Sequence, residues 1–173
     1  MLLFAHTGIT LGTAKVMAGA AGWREKGLPA LLDYRLVLIG SMLPDLIDKP
    51  LGGVILPLRN GRIYSHTLVF LLLILAAGLV VWFWKRNSGG LVLAGGTALH
   101  HILDFMWQAP ETYLWPLYGW GFPTGDPGDW LSLWISKLTD PQVLIPEIIG
   151  LLILAVFAFE LLQQLKLNKD SSH

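Results

Sequence analysis

Two imidazoles and a carboxylate interrupt an otherwise apolar stretch at residues 98–107, which read ALHHILDFMW. His100 and Asp104 are four residues apart, so in a helix their side chains share one face about one turn from each other. A neutral imidazole and a carboxylate placed in this way can bind one divalent metal ion. A buried His–Asp hydrogen bond that only ties helices together would use the same residues. The pair therefore needs further ligands before it indicates chemistry.

Three more polar residues, His6, Asp45 and His66, stand at the ends of apolar segments. In a chain that crosses the membrane in alternating directions, the first segment runs away from His6 and the second towards Asp45. The third then runs away from His66, and the fourth returns to His100 and Asp104. All five groups come to one membrane face, where an ionisable residue is a candidate functional group. The sequence therefore predicts one metal site built from these five residues.

Composition places the chain among membrane proteins. Hydrophobic residues make up 54% of the 173 residues and charged residues only 14%, and the mean hydropathy is +0.58. These values predict an all-α integral membrane protein with one membrane-embedded domain, residues 1–173, and the lipid bilayer as its partner. The net charge is zero, so no nucleic-acid partner is predicted. Because the chain has no cysteine, disulfides, thiolate zinc sites and cysteine nucleophiles are excluded, and His, Asp and Glu remain as metal ligands.

About five transmembrane or membrane-embedded helices are predicted to carry these ligands. Pro44 is expected to end the second helix, and residues 51–64, rich in Gly and Pro, to form an irregular or re-entrant segment. Residues 108–141, rich in Trp, Pro and Gly, suit the membrane–water interface, with Trp115, Trp120, Trp130 and Trp134 as its tryptophans. The predicted helices cover residues 7–23, 30–43, 66–84, 91–107 and 143–165.

Five short motifs along the chain resemble those of the YdjM-like membrane-bound metal-dependent hydrolases. They are HTG at residues 6–8, LPDLIDKP at 43–50, SHT at 65–67, HHILD at 100–104 and LWPL at 114–117. More distantly, the order His, Asp, His, His-x-x-x-Asp is similar to that of the zinc-dependent phospholipase C and P1 nuclease group. This resemblance implies that Asp45, His66, His100 and Asp104 hold one metal ion and that Asp104 bridges to a second, held partly by His6.

The chain departs from the family pattern at two motifs. One extra residue separates Asp45 from Asp48, and Lys49 stands where the family usually has a histidine. Arg62 is present, but the histidine that usually precedes it is replaced by Gly61. The resemblance thus leaves open whether Asp48 is a ligand and how many ions are bound. Four residues are expected to support the ligands or contact substrate: Asp48, Arg62, His101 and Glu147.

The predicted function is hydrolysis. One or two divalent ions, zinc before manganese, would lower the pKa of a bound water and polarise the ester oxygen of a phosphoester or lipid-like substrate. A metal-binding or transport protein, or a structural membrane protein without catalysis, would be the alternative. A transport pathway needs polar groups across the membrane, and the third segment has no charge between Thr67 and Trp84.

Basic residues predict the orientation of the site. Six of them lie in loops and termini on the side away from the ligands, and four lie on the ligand side. The positive-inside rule then places the ligand face outside the cytoplasm. The first set is Arg24, Lys26, Lys85, Arg86, Lys166 and Lys169, and the second is Lys49, Arg59, Arg62 and Lys137.

Overall fold

The computed structural model of this protein describes residues 3–20, 32–56, 58–125 and 138–170, with side chains up to residue 168. These residues form helices and turns and contain no strand, which confirms the predicted all-α class. Trp130, Trp134, Arg24, Lys26 and Lys137 lie outside the described residues, as do the predicted helix boundaries within 21–31. The helices are α1 (Thr10–Ala20), α2 (Tyr34–Pro50), α3 (Leu68–Lys85), α4 (Gly89–Leu103), α5 (Pro110–Tyr113) and α6 (Pro141–Asp170).

Two of these helices are long and apolar enough to cross a membrane, namely α3 and the Pro141–Asn168 part of α6. The 18 residues of α3 span about 27 Å at ~1.5 Å per residue, close to the ~30 Å of a hydrocarbon core. Thr67 caps α3 by accepting a hydrogen bond from the amide of Phe70, and Arg86, in the left-handed conformation, ends it. The helix α4 is apolar but shorter. The predicted helices at 66–84 and 91–107 are thus present with shifted ends.

The prediction that Pro44 ends the second helix is wrong, because α2 continues through Pro44 to Pro50 and then into a π-helical turn at Leu51–Ile55. Proline has no amide hydrogen to donate to the carbonyl four residues earlier, that of Gly40. The Thr97 hydroxyl of α4 donates to this carbonyl instead, at 3.2 Å. A neighbouring helix therefore satisfies the group that proline leaves unpaired, as is common in membrane helices. Pro146 likewise lies inside a continuous helix, α6.

Glycines set the helix contacts that hold the bundle together. A Cβ on Gly96 would lie 2.7 Å from the carbonyl oxygen of Val37, and a Cβ on Gly90 would lie 2.7 Å from the Cα of Gly78. A Cβ on Gly8 would collide with the backbone of Gly150. Such small-residue contacts are typical of packed membrane helices. They bring α2 and α3 onto α4 and the N-terminal segment onto α6, which gathers four chain segments at one end of the bundle.

Candidate metal centre

The structure brings all five predicted ligands together at that end, and all five are buried. His6 lies in a π-helical turn, Ala5–Ile9, before α1, and Asp45 lies in the last turns of α2. His66 lies in a 3-10 turn directly before α3. His100 is in the last turn of α4, and Asp104 caps that helix.

Two overlapping groups of these residues have the geometry to hold a metal ion. The first is His6, His100 and Asp104, and the second is Asp45, His66 and His100. Within each group one ligand atom per residue lies within 4.8 Å of the others. His100 belongs to both, so the groups are two halves of one cluster.

The histidines at the centre are held in one tautomer by their outer hydrogen bonds. His100 Nδ1 lies 2.6 Å from the carbonyl oxygen of Ser41, and His66 Nδ1 lies 2.7 Å from Oδ2 of Asp48. Carbonyls and carboxylates only accept, so each Nδ1 carries the hydrogen and each Nε2 of a neutral ring keeps a lone pair. The two Nε2 atoms are 3.2 Å apart. In these tautomers the two neutral rings face each other lone pair to lone pair, and a metal ion between them would bind both nitrogens.

The donor spacing fits a divalent ion. A tetrahedral site with Zn–N bonds of about 2.0–2.1 Å separates neighbouring nitrogens by roughly 3.3 Å, and the Nε2 atoms of His66 and His100 are 3.2 Å apart. Around them, Asp45 Oδ1 lies 3.7 Å from His66 Nε2, and Asp104 Oδ2 lies 3.8 Å from the same nitrogen. Imidazole and carboxylate donors in this combination suit zinc or manganese.

His6 supports the same interpretation. Its Nε2 lies 3.1 Å from Oδ1 of Asp104, yet neither ring nitrogen makes an aligned hydrogen bond within the described part of the chain. The ring stacks on His100, with centroids 4.1 Å apart. His6 and Asp104 are therefore close enough to bind one metal ion together, and such an ion would also satisfy the poorly aligned ring nitrogen of the buried His6.

Asp48 supports the site through His66. Its carboxylate is fully buried and accepts hydrogen bonds from the backbone amides of Ile63, Ser65 and His66 as well as from the His66 ring. These donors occupy both oxygens, and Asp48 belongs to neither metal-binding group. Asp48 therefore orients the imidazole, as carboxylates behind metal-binding histidines do.

Each ligand carboxylate also faces a cation at the edge of the cluster. Lys49 Nζ lies 2.7 Å from Oδ2 of Asp45, and Arg62 Nη2 lies 2.8 Å from Oδ2 of Asp104. Burial alone raises the pKa of the Asp104 carboxyl, but the adjacent His6 imidazole and Arg62 guanidinium hold it below its usual range. Arg62 was predicted near the site, whereas Lys49 was not. Lys49 follows Asp45 by four residues, so both side chains lie on one helix face. The spacing was not used because the helix was predicted to end at Pro44.

His101 and Glu147, two further predicted residues, belong to neither metal-binding group. His101 Nε2 donates to the carbonyl of Ser65 at 3.0 Å, so it steadies the loop that presents His66. Glu147 accepts a hydrogen bond from the amide of Phe4 at 2.9 Å and so ties the segment carrying His6 to α6. The roles of the Ser41 and Ser65 carbonyls were not predicted. Every residue has a backbone carbonyl, so residue type does not show which one accepts a hydrogen bond.

Comparison with known proteins extends over almost the whole chain. The family model described as YdjM inner membrane protein matches residues 1–167. No curated protein and no solved structure matches the chain. The distant resemblance to the phospholipase C and P1 nuclease group therefore stays a prediction.

Proposed function

We propose that this chain, which belongs to the YdjM inner membrane protein family, is a membrane-bound metal-dependent hydrolase. The observation that carries the proposal is the pair of imidazole Nε2 atoms 3.2 Å apart, each with its Nδ1 already committed to an acceptor. The ligands would be His6, Asp45, His66, His100 and Asp104, with zinc as the first candidate ion and manganese as the second.

A divalent ion bound there would supply an acidified water and polarise an ester oxygen. The chain's own contribution is to position the donors. Asp48 and the Ser41 carbonyl keep the hydrogens of His66 and His100 on Nδ1, so the inner nitrogens stay unprotonated. Burial of the ligand side chains limits water around the reacting groups, which strengthens every electrostatic interaction in the site.

The proposed substrate is a phosphoester or another lipid-like ester. The chain segment that follows Asp104 exposes large aromatic residues, among them Trp107, Tyr118 and Trp120. Tryptophan and tyrosine concentrate at the headgroup level of bilayers. A site that opens beside such residues can meet amphipathic molecules that stay in the membrane.

Hydrolysis is tested with purified protein in a neutral detergent. Chromogenic phosphomono- and phosphodiesters and a short-chain phospholipid are assayed after chelation and after reloading with zinc or manganese. We expect activity to disappear on chelation, to return with metal and to be abolished in His100→Ala, whereas Lys85→Met at the opposite end of the bundle retains it. Activity that persists in His100→Ala would exclude this site as its source.

A metal-binding protein without catalysis is the second candidate, and the burial of all five ligands favours it, because closed sites are typical of structural metals. The same assay separates the two functions. Stoichiometric zinc that depends on His66 and His100, with no turnover of any ester tested, would support the structural role.

We further propose that the site faces away from the cytoplasm, on the basis of the six-to-four distribution of basic residues. The chain has no native cysteine, so single cysteines report sidedness without background. Asn87→Cys lies in the exposed α3–α4 loop, and Thr124→Cys lies in an exposed loop after α5. A membrane-impermeant maleimide on intact cells should label position 124 and spare position 87. The reverse pattern would place the site in the cytoplasm.

A further inference from the structure

We propose that Lys49 and Arg62 form an anion-binding pair that holds the phosphoryl group of the ligand at the mouth of the metal centre. This inference rests on the proposed function, because it assigns the substrate group that the site would recognise. No predicted catalytic step requires the positive charges of Lys49 and Arg62.

The two cations lie where the cluster opens. The side chains of Lys49 and Arg62 are 46% and 42% exposed, whereas those of Asp45 and Asp104, which they contact, are only 6% and 4% exposed. Asp45 contacts Lys49 through Oδ2 and faces His66 through Oδ1. The carboxylates thus contact the buried imidazoles on one side and the half-exposed cations on the other.

Charge balance explains why these cations would turn to an anion. Without metal, the described side chains of the cluster include three carboxylates, Asp45, Asp48 and Asp104, and two cations, Lys49 and Arg62. If Asp45 and Asp104 held a divalent ion, the summed charge of the ion and these side chains would become positive. The ion would then compensate the carboxylates, and their attraction for Lys49 and Arg62 would weaken. An incoming anion restores the balance.

A phosphoryl group fits this arrangement better than a carboxylate does. Guanidinium and ammonium groups both bind phosphate oxygens, the guanidinium through paired N–H donors. A phosphoryl group offers three acceptor oxygens, enough to meet the metal centre and both cations together, whereas a carboxylate has only two. A headgroup anchor would instead point outward. Arg59, in the same loop, is exposed and forms no ion pair among the described residues, while Arg62 reaches inward to Asp104.

The test uses inorganic phosphate as the probe, titrated calorimetrically into full-length protein in a phosphate-free neutral detergent, with and without zinc. We expect zinc to strengthen phosphate binding and Lys49→Gln and Arg62→Gln each to weaken it at least 10-fold. Both variants should bind zinc as tightly as the parent or several-fold tighter, because each removes a cation from a ligating carboxylate. A merely structural role would lower zinc and phosphate binding together. Lys49→Arg should retain phosphate binding, and Arg59→Gln and Lys85→Gln should match the parent.

A second arm identifies the source of the phosphoryl group. Nanodiscs that contain a lipid with a phosphomonoester headgroup compete with inorganic phosphate if the ligand is a lipid, and have no effect if it is a soluble phosphate. Either result supports the subsite when the competition or the binding is lost in Lys49→Gln and Arg62→Gln. Phosphate affinity equal to the parent's in both variants, or no phosphate binding by the parent with or without zinc, overturns the inference. Phosphate binding as predicted without ester hydrolysis would refute the proposed hydrolase and leave the subsite standing.

Discussion

The described residues contain two sets of ion pairs, one at the candidate metal centre and one away from it between α1 and α6. At the centre, the Asp45 and Asp104 side chains are 6% and 4% exposed, and each faces a histidine on one side and a cation on the other. Away from it, Lys15 and Glu160 form a 2.6 Å pair whose side chains are 44% and 45% exposed. The two sets differ in their carboxylates, because those of Asp45 and Asp104 are buried and that of Glu160 is exposed.

Burial decides what each set can do. Lys15 and Glu160 neutralise each other by direct contact at 2.6 Å, so removing both charges together leaves no unpaired charge and costs little. In the buried cluster, an uncompensated charge is costly, so each carboxylate must be matched by a proton, a cation or a metal ion. The cluster is therefore expected to respond sharply to substitutions that the exposed pair tolerates.

The largest effect is expected for the central histidines. His66→Ala and His100→Ala each remove an inner Nε2 donor and should reduce bound zinc, measured by elemental analysis after dialysis, to background. His101→Ala is the matched control, since its ring contacts the Ser65 carbonyl and belongs to neither metal-binding group. Full zinc stoichiometry in His100→Ala would mean that the buried cluster does not bind the zinc and does not differ from the exposed pair in this respect.

Asp48→Asn should have the next largest effect. The amide keeps the shape of the carboxylate but weakens its hold on the Nδ1 hydrogen of His66, and loss of such a partner costs about 10–100-fold in metal affinity. Competition with a chromophoric chelator measures the change. Asp33→Asn serves as the control, because Asp33 is an exposed residue that caps the start of α2. Equal zinc affinity in parent and Asp48→Asn would show that the orientation of His66 does not depend on Asp48.

Packing near His6 predicts a smaller effect, on stability. A methyl group at Gly8 meets the backbone of Gly150, so Gly8→Ala must push the His6 segment from α6 at a cost of about 1–3 kcal/mol. Gly19→Ala, with nothing within 4 Å of the added carbon, should be neutral or stabilising by up to about 1 kcal/mol. Thermal unfolding in detergent compares the two variants, and equal midpoints would contradict the close Gly8–Gly150 contact.

The smallest effect is expected at the exposed pair. The double variant Lys15→Met/Glu160→Gln removes both charges together and should change stability by about 1 kcal/mol or less. Its zinc content should equal that of the parent. Loss of zinc in this variant would mean that the two sets of ion pairs are coupled through α1 and α6. It would contradict the independence of the exposed pair from the buried cluster.

Much of the architecture followed from local pattern. The uncharged run of residues 68–84 predicted α3 because its length and composition match the hydrocarbon core. Alternating crossings predicted that His6, Asp45, His66, His100 and Asp104 meet at one end, and the structure brings them together. The continuation of α2 beyond Pro44 was not predictable, because the Gly40 carbonyl contacts the Thr97 hydroxyl of another helix, and such a contact between distant residues leaves no local pattern.

The sequence by itself determined the all-α class, the candidate membrane helices and the residue types of the candidate ligands, because apolar length and residue identity are local properties. Only the tertiary structure decided which hydrogen bonds and ion pairs the candidate ligands form. It placed the Ser41 carbonyl behind His100 and Asp48 behind His66, which leaves two Nε2 lone pairs facing each other. It also directed Lys49 and Arg62 to different carboxylates. The tautomers of the histidines and the charge balance of the cluster depend on contacts between residues from distant segments. The close glycine contacts between helices bring those segments together.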